Sequence, residues 1–111
     1  MDLMRRGEIW WVDFDPSVGG EIRKVRPAII ISNNAANSAL NRIQVVPLTS
    51  NTDRLYPSEA RVSIDGTLSK AMADQLATVS KLRFKTKLAI ISKDEMLEVE
   101  KALKLQLGLK L

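Results

Sequence analysis

A compact, barrel-like β sheet with appended helices is the fold class this sequence predicts, on three observations. Short β-branched or alternating segments recur along most of the chain, turn-forming residues separate them, and one well-signalled helix comes last. The 111 residues fit one domain, 1–111, large enough to bury a core without staples.

The first strand is Ile9 to Phe14, where Trp10, Val12 and Phe14 share a face at period two. Asp15-Pro16 and Gly19-Gly20 stop it and begin a long connection. Pro27 to Ser32 reads as a second strand, apolar on both faces and therefore central. Asn33 to Leu40 suits a short helix, and Ile43 to Thr49 a third strand. Pro47 would place that strand at an edge or on a bulge, because proline cannot donate to a ladder. After a polar stretch from Ser50 to Pro57, Glu59 to Ile64 alternates as a strand, and Asp65-Gly66 turns the chain. Met72 to Val79 and Leu88 to Ile91 are further strand candidates. In the last segment Ser92 and Glu95 have the spacing of a capping box, with Ile91 and Met96 placed to staple it. The helix then runs through Met96, Val99, Leu103 and Leu107 to Gly108, a natural stop.

Composition narrows the chemistry. There are no cysteines, so disulfides and thiolate metal sites are excluded, and no histidines, so the usual general base and commonest metal ligand are missing. Catalysis would have to use carboxylates, Arg, Lys, hydroxyls or backbone groups. The net charge of +4 suits an acidic partner, although many soluble domains are mildly basic. The longest apolar run, Ala28 to Ile31, is too short to cross a bilayer, and Met1 to Gly7 lacks the apolar stretch of a signal peptide, so a cytoplasmic location is expected.

Three places could carry chemistry. The connection GGEIRKVRP packs Arg23, Lys24 and Arg26 together behind Glu21. A solvated charged hairpin is one reading. Against it, Arg26 precedes Pro27, which biases it to an extended backbone, and abuts a buried strand. A guanidinium held there is a good phosphate clamp, because its planar fork matches two oxygens. At the exit of the third strand, Thr49 and Ser50 either bring hydroxyls to a site or merely turn the chain. Asp13 and Asp15 share a strand face, but Asp-Pro is an ordinary turn starter and no third ligand is near, so no metal site is expected. Trp10 and Trp11 point to opposite faces, so one is left for a dimer interface, the preferred reading, or for stacking on a base. No glycine-rich phosphate loop or dinucleotide fingerprint appears, so no cofactor is expected.

Taken in order, GEIWWVDFDP (7–16), GGEIRKVRPAIIISN (19–33), VVPLTS (45–50) and ADQLATVSKLRF (73–84) resemble the PemK/MazF family of toxin endoribonucleases. The resemblance spans nearly the whole chain. It implies a small SH3-like β-barrel, of the type shared with CcdB-like toxins, with a C-terminal helix and assembly as a symmetric homodimer. It further implies metal-independent cleavage of single-stranded RNA, leaving 2′,3′-cyclic phosphate and 5′-hydroxyl ends, and neutralisation by an acidic MazE-like antitoxin lying across the RNA groove. The family's catalytic residues would fall on Arg26, Thr49 and Glu21, and RNA-binding positions on Arg23, Lys24, Ser50, Asp74 and Gln75.

Two departures stand out. Ile22, Arg23 and Lys24 replace the Gly and Gln of some members, which makes Arg23 a rival for the role of Arg26. Ala77 stands where many members carry a basic residue, which bears on the cleavage sequence. Two alternatives remain: a non-catalytic toxin of the same fold that poisons a protein such as DNA gyrase, and a basic RNA-binding module that leaves the strand intact.

Overall fold

The computed structural model describes residues 3–14 and 25–111. Among these, the elements in chain order are β1 (Glu8–Asp13), β2 (Val25–Ile30), α1 (Asn34–Ala39), β3 (Arg42–Thr49), β4 (Glu59–Ile64), β5 (Thr67–Met72), β6 (Ala77–Ser80), β7 (Phe84–Ile90) and α2 (Lys93–Gln106). Short 3₁₀ turns at Ala73–Gln75 and Lys81–Arg83 flank β6. The strands form one antiparallel sheet in the order β4-β5-β3-β2-β1-β7, with β6 paired to β3 off that path. This is a mainly β, half-barrel sheet with a C-terminal helix, the class that the sequence predicts.

The sheet is apolar on both faces where β1, β2 and β3 run side by side, and alternation sorts their side chains into two cores. Ile9, Ile29, Val46 and Leu48 join Val62, Ala71 and the α2 residues Met96, Val99 and Leu103. On the opposite face Trp10, Val12, Ala28, Ile30, Ile43 and Val45 pack with Val79 and Phe84, and Phe14 leans on them. Trp10 meets Phe84 edge-on at 5.9 Å, a geometry worth about 0.5–1.5 kcal/mol beyond burial. β2 is central, as its two-sided apolar pattern requires.

Three expectations need correcting. β3 is not an edge strand: β2 pairs along one side, while β6 and then β5 pair along the other. Ile31 donates to the Gln44 carbonyl, so the alternation of the antiparallel ladder turns the Pro47 nitrogen away from β2. It faces the gap where β6 has ended, at Val45↔Ala77, and β5 has yet to begin, at Leu48↔Ala71. No ladder donor is lost there, which is how a central strand tolerates proline.

Second, Met72 to Val79 is not one strand. Met72 ends β5, a 3₁₀ turn carries the chain across, and β6 begins at Ala77. Third, only half of the capping box forms. The Ser92 hydroxyl accepts from the Glu95 N–H at 3.1 Å, but the Glu95 carboxylate accepts from Ser63 N–H of β4 at 2.8 Å, pinning the helix to the sheet. The helix ends as expected. Gly108 takes φ +70°, and the N–H groups of Gly108 and Leu109 donate to the carbonyls of Leu105 and Lys104.

Candidate active site

Pro27 decides where the sheet opens. The pairing of β2 with β3 ends at Ala28↔Pro47. By the same alternation, the next rung needs an N–H from Pro27 to the Leu48 carbonyl, and proline has none. β3 therefore leaves β2 and takes β5 as its partner, at Leu48↔Ala71 and Thr49↔Lys70. The parting strands leave a groove of about 430 Å³, lined by Trp11, Arg26, Pro27, Leu48, Thr49, Ser50 and Ser69 among others.

Arg26 and Thr49 stand on opposite banks of this groove. In the register of β2 and β3 they are the pair two steps beyond Ala28↔Pro47, so the strands carry both to the same level. Arg26 is half-buried, its backbone held in the β1 ladder opposite Val12. Arg26 also lines a second cavity of about 380 Å³ with Phe14, Pro47, Gln75 and Ala77, so it borders both hollows. The Thr49 oxygen accepts from the Asn51 N–H at 3.3 Å. That bond orients the hydroxyl and leaves its proton available to donate outward. A cation on an anchored backbone and a hydroxyl donor lining one groove suit a phosphodiester, whose non-bridging oxygens accept from both.

The other predicted residues divide. Ser50 is exposed on the groove wall beside Thr49, and Gln75 reaches the cavity next to Arg26. Asp74 is exposed on the 3₁₀ turn and lines neither hollow. Glu21, Arg23 and Lys24 lie outside the described residues, as does Asp15. Asp13 is buried at the end of β1, and the described residues contain no group of three or more side chains able to ligate a metal.

Trp11 lines the groove at 38% exposure, whereas Trp10 is core. Strand alternation separates the two, and only the pairing of Trp11 with Pro27 shows which one reaches the groove. Sequence reasoning also missed Ser69 and Lys70, both buried on β5. Their strand carries no clear alternation that would have signalled them.

Comparison with known proteins agrees with this fold. Residues 5–107 match the family model described as PemK-like, MazF-like toxin of type II toxin–antitoxin system. The chain is 39% identical over 116 residues to the endoribonuclease MazF9 of Mycobacterium tuberculosis, covering 96% of this chain and 98% of that protein. Its fold is similar to the crystal structure of MazE–MazF from Deinococcus radiodurans, with TM-score 0.84, 27% identity, and 99% and 100% of the two chains covered. A mycobacterial endoribonuclease in complex with its cognate antitoxin is similar at TM-score 0.81 and 26% identity, covering 97% and 98%.

Proposed function

The chain belongs to the PemK-like, MazF-like toxin family of type II toxin–antitoxin systems, and from that premise we propose that it cuts single-stranded RNA in the groove between β2 and β3. It is an RNA-cleaving toxin, as its endoribonuclease relatives indicate. The observation that carries the assignment of the site is that Arg26 and Thr49 flank one groove of phosphate-accepting size.

RNA brings its own nucleophile. The 2′-oxygen attacks the adjacent phosphorus, the bond to the 5′-oxygen breaks, and a 2′,3′-cyclic phosphate and a 5′-hydroxyl result. The 2′-hydroxyl proton leaves to a base, and a proton must reach the departing 5′-oxygen. Alignment of these atoms by the groove lowers the barrier by several kcal/mol. The Arg26 guanidinium offsets the charge that develops on the phosphorane-like transition state, and the Thr49 hydroxyl donates to a non-bridging oxygen. Because a guanidinium is a donor only and holds its charge, Arg26 serves as an electrostatic group first and a proton carrier second. Glu21 is the base in this scheme. Because the nucleophile is internal and the cation is a side chain, the reaction is metal-independent.

Ser50, which lines the groove, and Gln75, which lines the cavity beside Arg26, are proposed to contact the RNA, and Arg23, Lys24 and Asp74 complete the RNA-binding set proposed from the family pattern. An acidic MazE-like antitoxin would compete for this groove. Assembly is as a homodimer, with the whole of residues 1–111 acting as one domain. Among the described residues no helix is long and apolar enough to cross a membrane, and the expected site of action is the cytoplasm, where the RNA is.

The test is a long single-stranded RNA in EDTA, cut by wild type, Arg26→Ala and Thr49→Ala. Wild type should give discrete bands whose 5′ ends accept phosphate from a kinase without prior dephosphorylation. Arg26→Ala should lose at least ~10²-fold in turnover. Near-normal cutting by that variant would remove Arg26 from the chemistry. Intact RNA with wild type, alongside inhibition of DNA gyrase, would favour the non-catalytic alternative.

A further inference from the structure

We propose that Lys70 is a positioning residue for RNA cleavage: its buried ion pair with Glu59 clasps residues 50–58 to the sheet and so fixes Thr49 and Ser50 on the groove wall. The proposal rests on the nuclease function argued above. Lys70 is 7% exposed, and its ammonium lies 3.0 Å from the Glu59 carboxylate, 2.6 Å from the Arg54 carbonyl and 5.5 Å from the centre of the Tyr56 ring. Glu59 in turn accepts from the Tyr56 N–H at 2.8 Å, while its own N–H donates to the Tyr56 carbonyl at 2.9 Å. Arg54 and Tyr56 belong to the segment that leads away from Thr49, and Glu59 opens the strand β4 into which that segment runs.

The other end of that segment is tied to the same residue. Lys70 is the register partner of Thr49, and directly opposed residues of an antiparallel pair project from one face with their Cβ atoms about 5 Å apart. The stem of Lys70 therefore flanks the Thr49 side chain, while its head holds Arg54, Tyr56 and Glu59. Thr49 to Glu59 becomes a loop fastened at both ends to one side chain. The Thr49 hydroxyl is further set by the Asn51 N–H inside that loop.

Burying two charges costs desolvation that a well-packed apolar pair avoids, so an ion pair in this place is a poor device for stability alone. What it supplies is direction. The ammonium has several acceptors around it, and the loop can satisfy them in only one arrangement. A methionine and a leucine would fill the space but leave the loop free to slide along the β3 exit.

The experiment compares wild type, the double variant Lys70→Met/Glu59→Leu, the single variant Lys70→Met and Lys70→Arg, in steady-state cleavage of one short RNA with a mapped cut site and in thermal melting. The double variant should melt no lower than wild type yet lose roughly 10–10²-fold in kcat, the scale of a small misplacement, with KM near the wild-type value. Lys70→Arg, which can still hold the carboxylate and the carbonyl, should recover most of the rate. Wild-type kcat in the double variant overturns the proposal. So does loss of cooperative melting in both Lys70→Met and the double variant, because the pair would then support the whole fold. If wild type itself leaves RNA intact, nuclease activity fails and the clasp with it, an outcome distinct from a fast double variant beside an active wild type.

Discussion

Arg26 and Thr49 face each other across the groove but do unlike work, and substitution separates them. A hydroxyl at position 49 needs only a donor on a short stem, so Thr49→Ser should retain most activity. Thr49→Ala should lose about 10²-fold in kcat, the usual cost of one transition-state donor. Arg26→Lys should behave almost as badly as Arg26→Ala, since an ammonium cannot present the planar fork that grips two oxygens. Single-turnover cleavage of a short RNA reads all three. A Thr49→Ser enzyme no faster than Thr49→Ala would mean that the methyl, and not the hydroxyl, matters. Arg26 stands out in the sequence because it precedes Pro27 beside a buried strand, and Thr49 because it is a hydroxyl at a strand exit; the family resemblance is what joins them. Lys70 does not: nothing in TLSKAM marks one lysine as buried, since its burial depends on Glu59 from another strand.

Glu8 supplies the pH dependence. Burial pushes its carboxyl up, but donors from the Arg5 N–H, the Trp10 indole and the Lys87 ammonium together hold it below its ordinary value of 4.5. A depressed folded value means that its stabilisation is complete above the unfolded pKa and disappears as pH falls through the folded one. Wild type should therefore lose melting temperature on acidification below about pH 4.5, and Glu8→Gln should start lower and change less over that range. Equal acid sensitivity in the two proteins would assign the loss to other carboxylates.

Of the elements, α2 was the easiest to read and its attachment the hardest. Cap, staple and stop are local signals, and all three are present: the Ser92 hydroxyl on Glu95 N–H, Ile91 and Met96 in one core, and Gly108 in the left-handed region. Ser92→Ala should cost about 1 kcal/mol in denaturant unfolding. Glu95 obeys a distant partner. Its carboxylate satisfies an N–H on β4, the last strand of the sheet path, so Glu95→Ala removes a link between helix and sheet as well as part of a cap. It should destabilise at least as much as Ser92→Ala, because a charged acceptor is lost from a backbone donor. A smaller effect would show that water replaces the carboxylate freely. β5 is illegible for a related reason: its consecutive residues Ser69 and Lys70 are polar yet buried, and their burial is decided by partners that no local pattern reveals.

Strand order is a property of the whole molecule, and it explains why a chain of ordinary strands has a site at all. Had β2 and β3 stayed paired past Ala28↔Pro47, the sheet would have closed between Arg26 and Thr49; the missing donor of Pro27 holds it open, while the far side of β3 passes from β6 to β5. Single residues announce each proline, but only the register shows that Pro27 faces the gap between β2 and β3 while Pro47 faces the other side of β3. The molecule's charge then decides how RNA is held there. With 17 basic and 13 acidic side chains, attraction is modest in bulk and must be concentrated at the groove to be useful. Binding to a single strand should weaken with salt with a log–log slope of about −0.7 for each phosphate neutralised. If Arg26 is one of those contacts, Arg26→Ala should flatten the slope by about that amount, beyond any loss of affinity at one salt concentration. The measurement is a titration series in the Thr49→Ala background, where RNA survives long enough to equilibrate. An unchanged slope would place the guanidinium away from the phosphate, and the groove would then hold RNA through Trp11 and its apolar floor instead.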